Sequence, residues 1–289
     1  MYKFPIGVIV DSFRLPIPEA VKKAAEIGAQ GIQVYASRGD MAPENLSASK
    51  RIEFKNLVAD NGLVISALCG DLGGGGFVHP DQNAFKIEKS KRILDLAKEL
   101  GTDIVTTHIG VVPQDKNSDR YKIMQEACFE LSRYADSIDA HFAIETGPET
   151  SLTLKGFLDE LGSTGVGVNL DPANLVMVTG DNPVNAVHNL KEYIVHTHAK
   201  DGVQNYFLDP DIVYGMPGTE KALELGEHTV DGPSFTEVPL GTGSVPFKEY
   251  LEALDEIGFK GFLTIEREVG DDPAKDIKSA VEFLKDLIY

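Results

Sequence analysis

The chain has 289 residues, 42% of them hydrophobic, with 27 Lys+Arg against 45 Asp+Glu and a formal net charge of −18. That is enough apolar material for a large core in one unit. So acidic a surface repels phosphate backbones and anionic lipid, which argues against nucleic-acid and membrane partners and leaves small neutral substrates open.

The opening, MYKFPIGVIVDSF, is unlike a secretory leader, because its apolar stretch is short, holds Pro5 and runs into Asp11. No stretch approaches the ~20 apolar residues of a membrane span, and a soluble cytoplasmic protein is expected. Strand patterns follow at IGVIV (6–10), GIQVY (31–35), LVISALC (63–69), DIVTT (103–107), HFAIE (141–145), VGVNL (166–170), YIVHTH (193–198) and GFLTIE (261–266). Amphipathic stretches separate them, among them PEAVKKAAEIG, KIEKSKRILDLAKELG and YKIMQEACFELSRYADSI, the last after the helix-start signal Asn117-Ser118-Asp119. PFKEYLEALDEIG and DPAKDIKSAVEFLKDLI complete the helical set. Strands alternating with helices predict a parallel sheet covered on both faces, and eight such units predict a (β/α)8 barrel spanning residues 1–289 as one domain.

Two connections stand out. DLGGGGF (71–77) carries four glycines but no following Gly-Lys-Ser/Thr, so it is no P-loop and reads as a flexible loop or a direct ligand contact. Ala199–Val245 is rich in Gly, Pro and Asp, and connections this long are usually functional, lid-like or disordered. Its aromatics Tyr206, Phe207 and Tyr214 are expected to pack, with stacking on a sugar face as the other role. Cys69 and Cys128 have no metal or disulfide spacing and are expected to be buried thiols.

In a barrel of this kind all eight strand C-termini converge on one mouth. The fifth strand ends in Glu145, the sixth in Asp171, the seventh in His198 and the eighth in Glu266. Three carboxylates at close quarters resist ionising together unless a cation lies between them. With one imidazole they form a hard, oxygen-rich set suited to Mn²⁺ or Mg²⁺. The competing reading makes each an isolated, solvated rim residue.

The ordered runs FAIETGPE, GVNLDPAN, VHTHAKD, EVPLGTGSVPF and GFLTIERE resemble the xylose isomerase-like barrel superfamily of sugar 3-epimerases, hydroxypyruvate isomerase, inosose dehydratase and abasic-site endonucleases. The likeness covers nearly the whole chain, with its sharper motifs in the second half. It implies metal ligation by Glu145, Asp171, His198 and Glu266, with Glu145 and Glu266 also the catalytic acid and base. His198 rather than His196, and Glu266 rather than Glu268, match the ligand positions. His108 is a candidate substrate contact, and His196 belongs in the barrel wall or near the substrate; Glu149, Lys200, Asp201 and Arg267 are weaker candidates, to support the ligands or touch substrate; His79, His141, His188 and His228 are assigned no chemistry.

The resemblance implies a divalent-metal-dependent isomerase or epimerase of a sugar, sugar phosphate or polyol ketone. It would work by proton transfer through a metal-stabilised enediolate, with Mn²⁺ foremost and Mg²⁺, Co²⁺ or Zn²⁺ as alternatives. A dehydratase of the inosose type would share the same parts, and a non-catalytic sugar-binding relative is the third reading. The endonuclease branch fits poorly, since Asn174 stands where a histidine often follows the sixth-strand Asp, and the charge opposes DNA. Homo-oligomerisation stays open.

Overall fold

The computed structural model describes residues 4–219 and 232–288. His228 and part of the long connection lie outside the described residues. Eight strands form the barrel: β1 Ile6–Ile9, β2 Gly31–Tyr35, β3 Val64–Cys69, β4 Ile104–Thr107, β5 His141–Glu145, β6 Val166–Leu170, β7 Ile194–Ala199 and β10 Leu263–Ile265. All pair in parallel, in the closed order β1-β10-β7-β6-β5-β4-β3-β2. The eight predicted strands are all present, within a residue or two at their ends. Around them run α1 Ile17–Glu26, α2 Ala48–Asp60, α3 Pro80–Leu100, α4 Asp119–Ser137, α5 Ser151–Leu161, α6 Pro183–Leu190, α7 Phe247–Glu256 and α8 Pro273–Ile288.

Local chemistry sets the helix ends. Ser118 caps α4, its hydroxyl accepting from the Tyr121 amide, where the Asn117-Ser118-Asp119 signal places a start. α3 stops at Gly101, whose φ of 92° only glycine adopts without strain. Both cysteines are free and buried, and burial pushes their thiols well above the ordinary range. No helix among the described residues is long and apolar enough to cross a membrane.

The barrel interior is not purely apolar. Gln33 on β2 donates to Thr106 Oγ1 on β4 at 3.0 Å, and its carbonyl oxygen lies 3.0 Å from His196 Nε2, which is in turn 3.0 Å from Thr264 Oγ1. These four buried side chains satisfy one another, as buried polar groups must, and they form a hydrogen-bonded layer beneath the barrel mouth.

The described part of the long connection carries secondary structure of its own. β8 Asp201–Gln204 and β9 Phe235–Val238 pair as an antiparallel ribbon, with a short helix at Pro210–Val213. Asp201 fastens its return. Its Oδ1 accepts from the amides of Gly202 (2.9 Å) and Val245 (3.1 Å), and its Oδ2 from those of Gly241 (3.0 Å) and Gly243 (2.8 Å). Gly243 packs so closely that a Cβ there would meet Asp201 Oδ1 at 2.3 Å. Asp201, a weak substrate candidate in sequence, is therefore a buried structural clasp. Asp201→Asn presents an NH2 where an acceptor is needed and is expected to lower unfolding free energy by about 2 kcal/mol. Urea unfolding that matched wild type would show the clasp to be dispensable.

Candidate metal centre

Strand register brings the rim residues together. Glu145 pairs with Asn169, Asn169 with His196, and His198 with Thr264. Residues two apart on a strand share a face, so His198, Asp171 and Glu266 each stand one level above the polar layer of His196, Asn169 and Thr264. One ligand atom from each of Glu145, Asp171, His198 and Glu266 lies within 4.8 Å of all the others, and all four side chains are buried. His198 Nδ1 sits 3.6 Å from Glu145 Oε1, 3.4 Å from Asp171 Oδ2 and 3.2 Å from Glu266 Oε2.

The orientation of each group is fixed from behind. Asp171 Oδ1 caps the short turn Pro172–Asn174 by accepting from the amides of Ala173 (2.8 Å) and Asn174 (2.9 Å), which turns Oδ2 inward. Glu145 Oε1 accepts from Asn174 Nδ2 (3.0 Å) and Oε2 from Asn169 Nδ2 (3.1 Å). Gln33 Oε1, held by the Thr106 contact, lies 3.3 Å from His198 Nε2. Asn169 Nδ2 lies 3.1 Å from the same His198 Nε2, so Gln33 and Asn169 together fix the ring plane and keep Nδ1 facing the carboxylates.

The donor set fits a divalent cation. Asp171 Oδ2 and Glu266 Oε2 are buried and have no hydrogen-bond partner. Lys200 lies 3.2 Å from Glu266 Oε2, whereas the inner oxygen of Asp171 has no lysine or arginine against it, and a buried carboxylate oxygen so placed is costly unless a cation meets it. The electrostatics agree. Burial opposes a charge on His198, yet Glu145, Glu266 and Asp171 outweigh it and hold the imidazole pKa well above its usual value. Burial raises Asp171, with Glu145 and Glu266 adding to the effect. Burial likewise opposes charge on Glu266, but Lys200 and His198 prevail and hold its carboxyl below the ordinary range. For Glu145, His108 and His198 overcome burial in the same way. A divalent ion meets this negative field better than a proton on His198 does.

Above the ligands opens a cavity of about 600 Å³. His108 lines it, its Nε2 3.4 Å from Glu145 Oε1 and its Nδ1 without a partner. Burial works against its charge, but Glu145, Asp71 and Glu266 raise its pKa. Lys200 also lines the cavity, donating to Glu268 Oε2 at 2.6 Å and lying 3.2 Å from Glu266 Oε2. Tyr214 forms part of the wall, while Phe207 is exposed and the Tyr206 hydroxyl donates to the Gly232 carbonyl.

Three other substrate candidates lie off the cavity wall. His196 sits in the polar layer below, kept neutral by burial and by His198, with its pKa pushed down to about 3. Arg267 alternates away from Glu266 and pairs with Glu237 (2.6 Å) and Asp276 (2.9 Å). Glu149 is buried, accepts from the Val112 amide at 3.0 Å and borders a separate, smaller cavity. Conversely, Gln33, Asn169 and Asn174 were not among the sequence-derived site residues. For Asn169 a signal existed: it lies two residues before Asp171 and so shares its face.

Comparison with known proteins agrees with this architecture. Residues 21–287 match the xylose isomerase-like TIM barrel family. Inosose dehydratase of Clostridium beijerinckii is 26% identical over 162 residues, 55% of this chain and 50% of that protein, so the chain aligns with about half the length of this relative. A xylose isomerase domain protein from Planctomyces limnophilus superposes with a TM-score of 0.77 at 26% identity, covering 99% of this chain and 97% of that one. The 3-keto-D-glucoside 4-epimerase YcjR of E. coli does so at 0.69 with 16% identity, covering 99% and 100%. With the match running over nearly its full length and a closed eight-stranded barrel beneath it, the chain belongs to the xylose isomerase-like TIM barrel family.

Proposed function

We propose that the chain is a divalent-metal-dependent isomerase or epimerase acting on a sugar or polyol ketone. One observation carries this reading: one oxygen each of Asp171 and Glu266, neither accepting a hydrogen bond, converges with Glu145 and His198 on the floor of a cavity large enough for a small molecule. Glu145, Asp171, His198 and Glu266 would hold the ion, Mn²⁺ foremost among Mn²⁺, Mg²⁺, Co²⁺ and Zn²⁺. When bound, it supplies Lewis-acid stabilisation of charge on adjacent carbonyl and hydroxyl oxygens.

The protein's own groups do the proton work. Glu145 on β5 and Glu266 after β10 are separated around the ring by β6 and β7, so they approach a substrate from two sides. One removes a proton from the carbon bearing a hydroxyl; that same carboxylic acid returns it to the neighbouring carbon in isomerisation, whereas in epimerisation the other glutamate, after taking a proton from solvent, delivers it to the opposite face. Both are held ionised, Glu266 by Lys200 and His198, Glu145 by His108 and His198, so that each starts as a base. The asparagine amides on Glu145 fix its carboxylate plane, and the His108 ring on the cavity wall can meet a substrate oxygen.

A second reading, favoured by the likeness to inosose dehydratase, uses the same proton abstraction and then expels a β-hydroxyl. Product analysis separates the two. The test is a panel of ketoses and polyol ketones with Mn²⁺ in deuterium oxide. Conversion with deuterium incorporation at carbon is expected, and Glu145→Gln is expected to lose about a hundredfold in turnover. Undiminished turnover in that variant would refute the role given to Glu145.

A further inference from the structure

The charge pattern of the cavity over the four ligands decides which substituents it accepts. Five acidic side chains line it, Asp71, Glu145, Glu237, Glu266 and Glu268, and Lys200 is the one lysine or arginine among its described lining residues. Lys200 is already engaged by Glu268 and Glu266. Two nearby arginines are committed as well, Arg267 to Glu237 and Asp276 and Arg120 to Asp211 through two 2.9 Å hydrogen bonds, while Arg38 stands over the Tyr35 ring, 5.4 Å from its centroid.

A phosphate is held by arginine or lysine, by a helix N-terminus or by a nest of backbone amides. The glycine loop is the obvious nest, and it is turned the wrong way. Buried Lys86 donates to the carbonyls of Gly73, Gly74 and Gly76, so the loop's oxygens gather round an ammonium of its own. The Gly73 amide donates to Asp71 Oδ1 at 2.9 Å, that of Gly76 to the Gly73 carbonyl at 3.3 Å, and that of Phe77 to the Ile109 carbonyl at 2.9 Å. The Asp71 carboxylate adds negative charge beside whatever amides remain. Segment 220–231, outside the described residues, carries one lysine against four carboxylates in its sequence and brings no excess of positive charge. The outer wall is apolar, with Met177, Val213, Met216 and Phe235, and suits the C–H faces of an unsubstituted sugar.

We infer that this site takes an uncharged polyhydroxy ketone and rejects its phosphate ester, with Asp71 and Glu268 as the excluding charges. The inference rests on the cavity being the substrate site of the proposed sugar isomerase, epimerase or dehydratase.

Two measurements test it. In the first, inorganic phosphate is titrated into the Mg²⁺-loaded full chain. The expected Kd is weaker than about 10 mM for wild type and at least about tenfold tighter for the double variant Asp71→Asn/Glu268→Gln. A wild-type Kd below about 1 mM overturns the inference, and an unchanged Kd in a folded double variant overturns the part given to Asp71 and Glu268. In the second, D-fructose is compared with D-fructose 6-phosphate, and D-ribulose with D-ribulose 5-phosphate. The free ketose is expected to have the higher kcat/KM by about tenfold or more, a difference of ~1.4 kcal/mol; preference for the ester overturns the inference. If neither member of either pair is converted, the result counts against the isomerase reading, and the phosphate titration still decides the charge preference.

Discussion

Asp171→Asn is expected to weaken divalent-ion binding by more than about a hundredfold while leaving the ion-free protein at least as stable as wild type. Groups that only support a ligand typically cost 10–100-fold when lost, so replacing the ligand itself sets about a hundredfold as the lower bound. The asparagine oxygen can keep the cap on the Ala173 and Asn174 amides, since Asn caps helices as well as Asp does. What changes is the inward atom. An NH2 group replaces Oδ2, cannot ligate, and faces acceptors on Glu145 and Glu266 rather than repelling them. In the ion-free protein, burial together with Glu145 and Glu266 already makes the Asp171 charge unfavourable, so neutralising it removes a penalty. Ion present at about a hundred times Kd stabilises wild type by about 2.7 kcal/mol. Unfolding with Mn²⁺ and with EDTA should therefore show a large ion-dependent difference for wild type and at most about 0.4 kcal/mol for Asp171→Asn. A variant with the full Mn²⁺ shift, or a wild type with none, defeats the metal assignment.

The meeting of Glu145, Asp171, His198 and Glu266 was legible because each closes an apolar run, and in a closed parallel barrel that position alone determines which end of the molecule a residue occupies. Depth and side were harder to read. His196 shares a face with His198, but two residues back along β7 lowers it into the polar layer with Gln33 and Thr264. Arg267 follows Glu266 directly, and strand alternation turns it outward to Glu237 and Asp276. That much the period of two foretells. Gln33 gave no such clue, as a single amide in GIQVY reads as an edge polarity until the barrel closes and sets Thr106 and two histidines against it.

The long connection stayed opaque for a different reason. β8 and β9 pair across some thirty intervening residues, and non-local pairings of short strands leave little periodicity in sequence. Asp201 carries the information that closes this segment, yet the acceptors it offers become meaningful only once three amides of the return turn, those of Gly241, Gly243 and Val245, are in place. Asn174 shows the same dependence: its amide fixes Glu145 because the turn capped by Asp171 presents it there. A ligand and its support are thus built by one four-residue stretch, DPAN.

Glu149→Gln is expected to stabilise the protein on the order of 4 kcal/mol at pH 9 and scarcely at all near pH 4. Burial raises the Glu149 carboxyl from 4.5 to about 8, against the lowering effects of the Val112 amide and His108. The sign follows from proton counting. Between pH 4.5 and 8 the unfolded chain has lost this proton and the native state retains it, so stability falls as pH rises through that window and levels off above it. Below pH 4.5 both states are protonated and the residue contributes no slope. Glutamine keeps an oxygen to accept from Val112 at the same place and has nothing to ionise. Titrating groups that do not interact with Glu149 are common to both proteins and cancel in the difference between their stability curves; His108, which pulls against the effect of burial on Glu149, adds a smaller contribution of its own. Urea unfolding of wild type and Glu149→Gln from pH 4 to pH 9, with EDTA present throughout, isolates that one carboxyl. Parallel curves would mean that Glu149 ionises as freely in the fold as outside it. The difference growing with pH would establish a neutral carboxylic acid behind the Gly110–Val112 segment, poised to donate a hydrogen bond at physiological pH.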